Sequence, residues 1–295
     1  QDPSAQTLAR LYHSHGQGIK RRFDVLVIDE MSCVHTLIWS FLATVVCHAR
    51  CQVICAGDWH QLPPVQDSAN ANKCPSMHDR DFLRELCGGT RLVLSTCHRS
   101  DPGLFRFYSQ LAATTEDVQA WVARAKQAYP PVAGPSPINL VVCHRQRVAL
   151  NRELLDIYRP RDVPTYYAEP GPCNAKNNTP QPLWLWEGQE LICASTHHDF
   201  RNRWAYRIVA LDSEKAVLEA VGLSTKTHAL PHAKVASLFR LRYARTYHSA
   251  QGMEWDQVRL WGTGSACFTL EHLMVGMSRC RSSARLDFGI DWGHR

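Results

Sequence analysis

The stretch Phe23-Asp-Val-Leu-Val-Ile-Asp-Glu30 constrains this chain more than any other. It is a short continuous apolar run stopped by two adjacent acids. A run of that kind suits a strand buried on both faces, which is the habit of parallel sheets. Residues 35–50 then read as a helix, and Cys51–Ala56 as a second buried strand, ending at Gly57-Asp58. Leu92–Ser95 reads as a third. Strands alternating with helices predict an α/β sheet, whose ligands gather at the carboxyl ends of the strands.

Further along, residues 102–129 read as helical. Pro130-Pro-Val-Ala-Gly-Pro-Ser-Pro137 then interrupts every periodicity, as a linker between domains would. Ile138–Cys143 opens a new strand and Arg147–Tyr158 a helix. Glu190–Ala194, Tyr206–Leu211 and Ala216–Val221 alternate as in a small β subdomain near 183–235. The parallel pattern returns at Phe239–Ala244, Gln257–Trp261 and Arg285–Ile290. The expected division is 1–130, a linker at 131–137, and 138–295.

The chain has 295 residues, 45% hydrophobic and 20% charged, a balance that excludes a disordered polymer. No apolar run reaches the length of a membrane span, so no membrane partner is expected. A net charge of +6 permits a polyanionic partner without requiring one. The twelve cysteines are dispersed through α/β-like sequence, unlike the dense framework of a small secreted domain. They are expected to be reduced, in an intracellular setting: cytoplasm, nucleus or a viral replication site. Cys47, Cys51 and Cys55 recur at every fourth position beside His48. No second ligand pair follows at zinc-site spacing, so they read as core cysteines, with a metal-binding regulator as a remote alternative.

Two constellations carry chemistry. Asp29-Glu30 at a strand end is the arrangement that holds Mg²⁺ through Asp29 while the next acid polarises an attacking water; two acids capping a helix is the plainer reading. One strand later comes Gly57-Asp58-Trp59-His60-Gln61-Leu62-Pro63-Pro64, where Gln61 can meet a γ-phosphate and the prolines stiffen its loop.

With these residues the chain resembles the superfamily 1 helicases, closest to the RecD/Pif type. The two stretches look like the Walker B motif and motif III. Leu94-Ser-Thr-Cys-His-Arg99 resembles motif IV, and Leu140-Val-Val-Cys-His-Arg-Gln-Arg-Val-Ala-Leu-Asn151 is similar to the opening of the second motor domain. Leu185-Trp-Glu-Gly-Gln-Glu-Leu-Ile-Cys193 with Arg201-Asn202 looks like the family's small β insertion. Ala244-Arg-Thr-Tyr-His-Ser-Ala-Gln-Gly-Met-Glu-Trp-Asp256 resembles motif V, and Met274-Val-Gly-Met-Ser-Arg279 resembles motif VI.

The resemblance implies two RecA-like P-loop NTPase domains with parallel sheets, the first incomplete. It implies ATP and Mg²⁺ as cofactors, with single-stranded DNA and duplex junctions as partners. The implied activity is ATP-dependent unwinding by movement on one strand, in replication, repair or recombination. The Gln-Leu-Pro-Pro form points to 5′→3′ movement, whereas the motif V form also resembles the oppositely moving UvrD branch. Catalytic roles fall to Asp29, Glu30, Gln61, Arg99 and Arg279; the two arginines would answer charge developing on phosphoryl oxygens, with Arg281 the weaker choice. Asp58, Gln251, Gly252 and Glu254 are expected at the nucleotide, Glu254 on a ribose hydroxyl. Trp59, His60, His248 and Ser249 are expected at the nucleic acid, with Trp59 able to stack on bases and Ser249 equally able to serve only as a helix cap. Lys20-Arg21-Arg22 reads as a solvated loop.

The sequence departs from the family in one respect. None of its sixteen glycines is followed by lysine, so the Gly-x-x-x-x-Gly-Lys-Ser/Thr phosphate cradle is missing. In the family that loop precedes a segment resembling Ser4-Ala-Gln-Thr-Leu8, and the chain starts at Gln1. The expectation is a truncated motor. The alternatives are a nucleic-acid-binding module without ATPase activity and a viral RNA helicase of the same superfamily, the latter distinguished by the 2′-hydroxyl.

Overall fold

The computed structural model describes residues 24–49, 51–64, 81–171, 180–195, 197, 199–222 and 226–289. Lys20–Arg22, Ser4–Leu8 and the side chains of Cys47 and His48 lie outside the described residues. The chain divides into two compact units, 1–115 with 269–278 and 116–268 with 279–295.

In the first unit, β1 (Val25–Ile28) and β2 (Gln52–Cys55) pair in parallel, in register Val25↔Gln52 to Ile28↔Cys55. Helix α1 (Thr36–Ala49) joins them. Its Ile38, Trp39 and Leu42, at helical spacing, pack with Leu26, Ile28, Val53 and Cys55 into one core. Leu83 and Leu86 of α2 (Asp81–Leu86) close the same cluster. Burial on both faces does not hold for β1. Val25, Val27 and Ile54 are exposed, because α1 covers one face only and no other described helix covers the second.

The strand expected at Leu92–Ser95 is likewise absent. Leu92, Val93 and Leu94 take no regular secondary structure and are 85%, 77% and 93% exposed. No described strand offers them a ladder, and without one an apolar run gains nothing from strand geometry.

The expected long helix over 102–129 is two. Helix α3 (Pro102–Ser109) starts with Asp101 accepting a hydrogen bond from Leu104 N at 2.9 Å. Helix α4 (Val118–Ala128) starts with Asp117 accepting from Gln119 N at 2.8 Å. Both caps satisfy first-turn amides that would otherwise lack partners.

The second unit begins at Glu116. Gln119 Nε2 donates to Thr263 O at 2.9 Å, and Val132 N donates to Asp287 at 2.8 Å. Helix α4 and the Pro-rich segment are therefore bound into this unit rather than leading to it.

Here β3 (Asn139–Val141) leads into α5 (His144–Tyr158), and β4 (Tyr166–Ala168) pairs antiparallel with β5 (Leu183–Leu185). The insertion follows as β6 (Glu190–Cys193), β7 (Ala205–Leu211), β8 (Lys215–Ala220), β9 (Thr227–Pro231), α6 (His232–Leu238) and β10 (Phe239–Leu241). These strands form one antiparallel sheet ordered β10-β6-β7-β8-β9. Then come β11 (Ala244–Thr246), α7 (Tyr247–Ala250), β12 (Val258–Leu260), α8 (Leu270–Ser278) and β13 (Leu286–Phe288). A wholly parallel sheet is ordered β11-β3-β12-β13. Helix α8 belongs to the first unit, where it packs on α3.

The single strand expected at Phe239–Ala244 is thus split. Phe239–Leu241 serves the insertion and Ala244–Thr246 the parallel sheet, because Arg242-Tyr243 turns the chain between them. Buried Asn151 fixes the second half: its Oδ1 accepts from Ala244 N at 2.9 Å and its Nδ2 donates to Ala244 O at 3.2 Å. Asn151→Leu leaves both backbone groups unpaired, and a loss of about 2 kcal/mol is expected in urea unfolding.

Candidate functional site

The ends of β1 and β2 are stitched together. Ala56 N donates to Ile28 O at 2.8 Å and Met31 N to Ala56 O at 2.9 Å. Asp29-Glu30 and Gly57-Asp58 therefore emerge side by side at the carboxyl end of the parallel pair. Gly57 makes this approach possible: a Cβ there would lie 2.7 Å from Met31 N and 2.8 Å from Met31 Cγ.

Asp29 is exposed, and its Oδ1 accepts from Glu30 N at 2.8 Å. Glu30 adopts a left-handed conformation, φ 52° and ψ 46°, which is uncommon for a residue with a Cβ and clusters at functional sites. Asp58 organises the following turn. Its Oδ1 accepts from His60 N at 2.9 Å, its backbone carbonyl accepts from Gln61 N at 3.2 Å, and Gln61 Nε2 lies 3.5 Å from Oδ2. With its amide nitrogen directed at Asp58, Gln61 leaves its Oε1 buried with no hydrogen-bond partner among the described residues. An enclosed acceptor left empty costs free energy and calls for a ligand or water. Trp59 is half-buried and His60 exposed on the same turn. Arg99 stands exposed two residues before the Asp101 cap of α3. Asp29, Glu30, Asp58 and Gln61 are thus brought together within the first unit.

In the second unit, strand order turns at β3, which has β11 on one side and β12 on the other. Thr246, at the end of β11, caps α7. Its Oγ1 accepts from Ser249 N at 3.3 Å, and Ser249 Oγ donates back to Thr246 O at 2.9 Å. Thr246 is therefore the cap, and the Ser249 hydroxyl bonds back to it. His248 and Gln251 are half-buried beside it, and Gly252 turns the chain at φ 75°. Glu254 is engaged by Arg281 at 2.6 Å, and Asp256 takes the same guanidinium at 3.1 Å. Hydrogen bonds to these two carboxylates push the Arg281 pKa up. Arg279 is 1% exposed, with Nη1 donating to Met253 O at 3.2 Å.

Among the described residues no three His, Cys, Asp or Glu side chains converge as a metal-binding group. The Asp29 carboxylate fits a Mg²⁺ held through water, which needs one or two carboxylates rather than a cage. The phosphate cradle is not supplied by this sequence. Sequence reasoning also missed Gly57's packing role, the Thr246 cap and Arg245; the first two depend on contacts that spacing does not reveal.

A family model described as an AAA domain matches residues 2–81. Pif1 helicase from Candida albicans is similar, with TM-score 0.68 and 17% identity over 96% of this chain and 77% of that one. Bacteroides Pif1 bound to single-stranded DNA gives TM-score 0.66 and 15% identity, over 97% and 79%. The Bacteroides protein with ADP-AlF3 and single-stranded DNA gives 0.61 and 15%, over 91% and 71%. No curated protein sequence matches the chain. The fold is that of these helicases, with parallel sheets of RecA-like type, as the motif resemblance implies.

Proposed function

We propose that this chain, with the fold of the Pif1 helicases, serves as an ATP-dependent DNA helicase of superfamily 1 that travels 5′→3′ on single-stranded DNA. The observation that carries the reading is the group at the ends of β1 and β2: Asp29 and Glu30 beside the buried, unpartnered Gln61 Oε1. Asp29 would hold Mg²⁺ through water, which would screen the phosphoryl charge; Glu30 draws the proton from an attacking water, and Gln61 Oε1 orients that water. Arg99 and Arg279 answer the charge that builds on the phosphoryl oxygens. ATP supplies the phosphoanhydride whose cleavage drives movement. Trp59 and His60 meet unpaired bases, and His248 meets the strand's backbone. Relatives solved with single-stranded DNA and with ADP-AlF3 support both ligand classes.

A second reading is a nucleic-acid-binding module that does not hydrolyse ATP. One experiment separates them. Fluorescence anisotropy of a labelled thymidine oligonucleotide is followed from 50 to 300 mM NaCl, and phosphate release is measured with and without that oligonucleotide. Binding is expected to weaken steeply, since each phosphate contact on a single strand adds about 0.7 to the log–log salt slope. Stimulated hydrolysis that Glu30→Gln reduces by roughly a hundredfold or more supports the helicase. Binding without hydrolysis supports the module, and no binding rejects both. Equal competition by a uridine oligonucleotide would overturn the preference for DNA.

A further inference from the structure

The second unit contains a half-buried arginine that no carboxylate balances among the described residues. Arg245 lies on β11, inside the motif V stretch, and is half-buried. Its Nε is enclosed without a hydrogen-bond partner. Its Nη1 faces the thioether of Met253 at 2.8 Å, and its guanidinium carbon stands 5.5 Å from the centroid of the Trp255 ring. Among the described residues no carboxylate pairs with it.

Its charged neighbours make matters worse. Arg242 and Arg203 both repel it. Burial first, then those two charges, pull its guanidinium down to about 10. Arg242 has its own acid partner in Glu190, which Arg207 also engages. Arg203 is exposed and makes no ion pair among the described residues. Glu190 thus serves two guanidinium groups, and neither Arg245 nor Arg203 has an acid partner among the described residues. A partly desolvated guanidinium without an acid partner is destabilising, and an anion at its open donors relieves that cost. Guanidinium groups match the geometry of phosphate oxygens.

We propose that Arg245 forms a phosphate-binding site in the second unit, whose ligand is a phosphodiester of single-stranded nucleic acid. The choice of strand over free phosphate rests on the functional reading above; the site itself does not.

Arg245→Met is the variant that tests it. Methionine is close in length and apolar, so the folded protein should melt no lower than the wild type, because an unpaired buried charge has gone. In the anisotropy titration, affinity for the oligonucleotide at 100 mM NaCl is expected to fall about tenfold, and the salt slope to shrink by about 0.7, one phosphate contact. An unchanged slope with the fold intact overturns the proposal. If the wild type binds no oligonucleotide, the functional reading fails, and the site is judged with inorganic pyrophosphate alone. A rise in melting temperature on adding pyrophosphate, present in the wild type and lost in Arg245→Met, keeps the site with a free phosphate as its ligand. No such rise, or the same rise in both proteins, overturns it.

Discussion

Asp287→Ala is expected to cost the second unit about 3–5 kcal/mol, the usual loss when one partner of a buried ion pair is removed. Asp287 is completely buried on β13. Arg259 on β12 grips it with both ends of the guanidinium, Nε to Oδ1 at 2.8 Å and Nη2 to Oδ2 at 2.7 Å. The same Nη2 donates to Val132 O and Gly134 O at 2.9 Å each, while Val132 N donates to Asp287 Oδ2 at 2.8 Å. One carboxylate therefore ties two neighbouring parallel strands to the Pro-rich segment. Its removal strands the arginine and a backbone amide in the interior. For a unit of this size roughly 2–4 °C accompanies each kcal/mol, so thermal melting followed by circular dichroism should drop by about 10 °C. Replacing both partners, Arg259→Met with Asp287→Leu, should recover much of the loss, since no charge is then left buried alone. A single variant that melts within about 2 °C of the wild type would mean that Arg259 readily finds water instead.

That network also shows why the domain division was only partly legible. Pro130–Pro137 has the composition of a linker, and composition reports backbone preference, not hydrogen-bond partners. Val132 and Gly134 are held by residues more than a hundred positions away. The same limit explains Leu92–Leu94, whose apolar run satisfies any local rule for a strand yet has no described neighbour to pair with. Phe239–Thr246 reads as one segment, but the chain spends its two halves in different sheets, and only the clamp from Asn151 marks the second. By contrast, Asp29-Glu30 and Asp58-Gln61 were legible because their placement is local. Each follows directly from a short apolar strand, and parallel pairing in register brings both strand ends to one edge. Arg245 was in plain sight within a quoted motif, but its lack of an acid partner is a property of the fold.

The tightest demand at the candidate site is placed on Gly57, and Gly57→Ala is expected to cost about 3 kcal/mol, at the upper end for overpacking against backbone. The new methyl would approach Met31 N at 2.7 Å and Met31 Cγ at 2.8 Å. The side chain could swing aside. The backbone nitrogen cannot, because Met31 N is bonded to Ala56 O, the residue just before Gly57. Relief requires the ends of β1 and β2 to part, which breaks that bond and moves Asp58 and Gln61 away from Asp29 and Glu30. Gly88 provides the comparison. Its φ of +64° also disfavours a side chain, yet a Cβ there meets nothing within 4 Å, so Gly88→Ala should cost only about 1 kcal/mol. The difference between the two variants isolates the steric contact from the backbone preference. Urea midpoints would give the energies, and amide exchange at Met31 would report whether the junction itself has opened. Faster exchange at Met31 in Gly57→Ala, and not in Gly88→Ala, is the expected pattern. Equal midpoints for the two variants would mean that the strand ends yield without cost. The geometry on which Asp29, Glu30 and Gln61 act together would then be too soft to orient a water molecule.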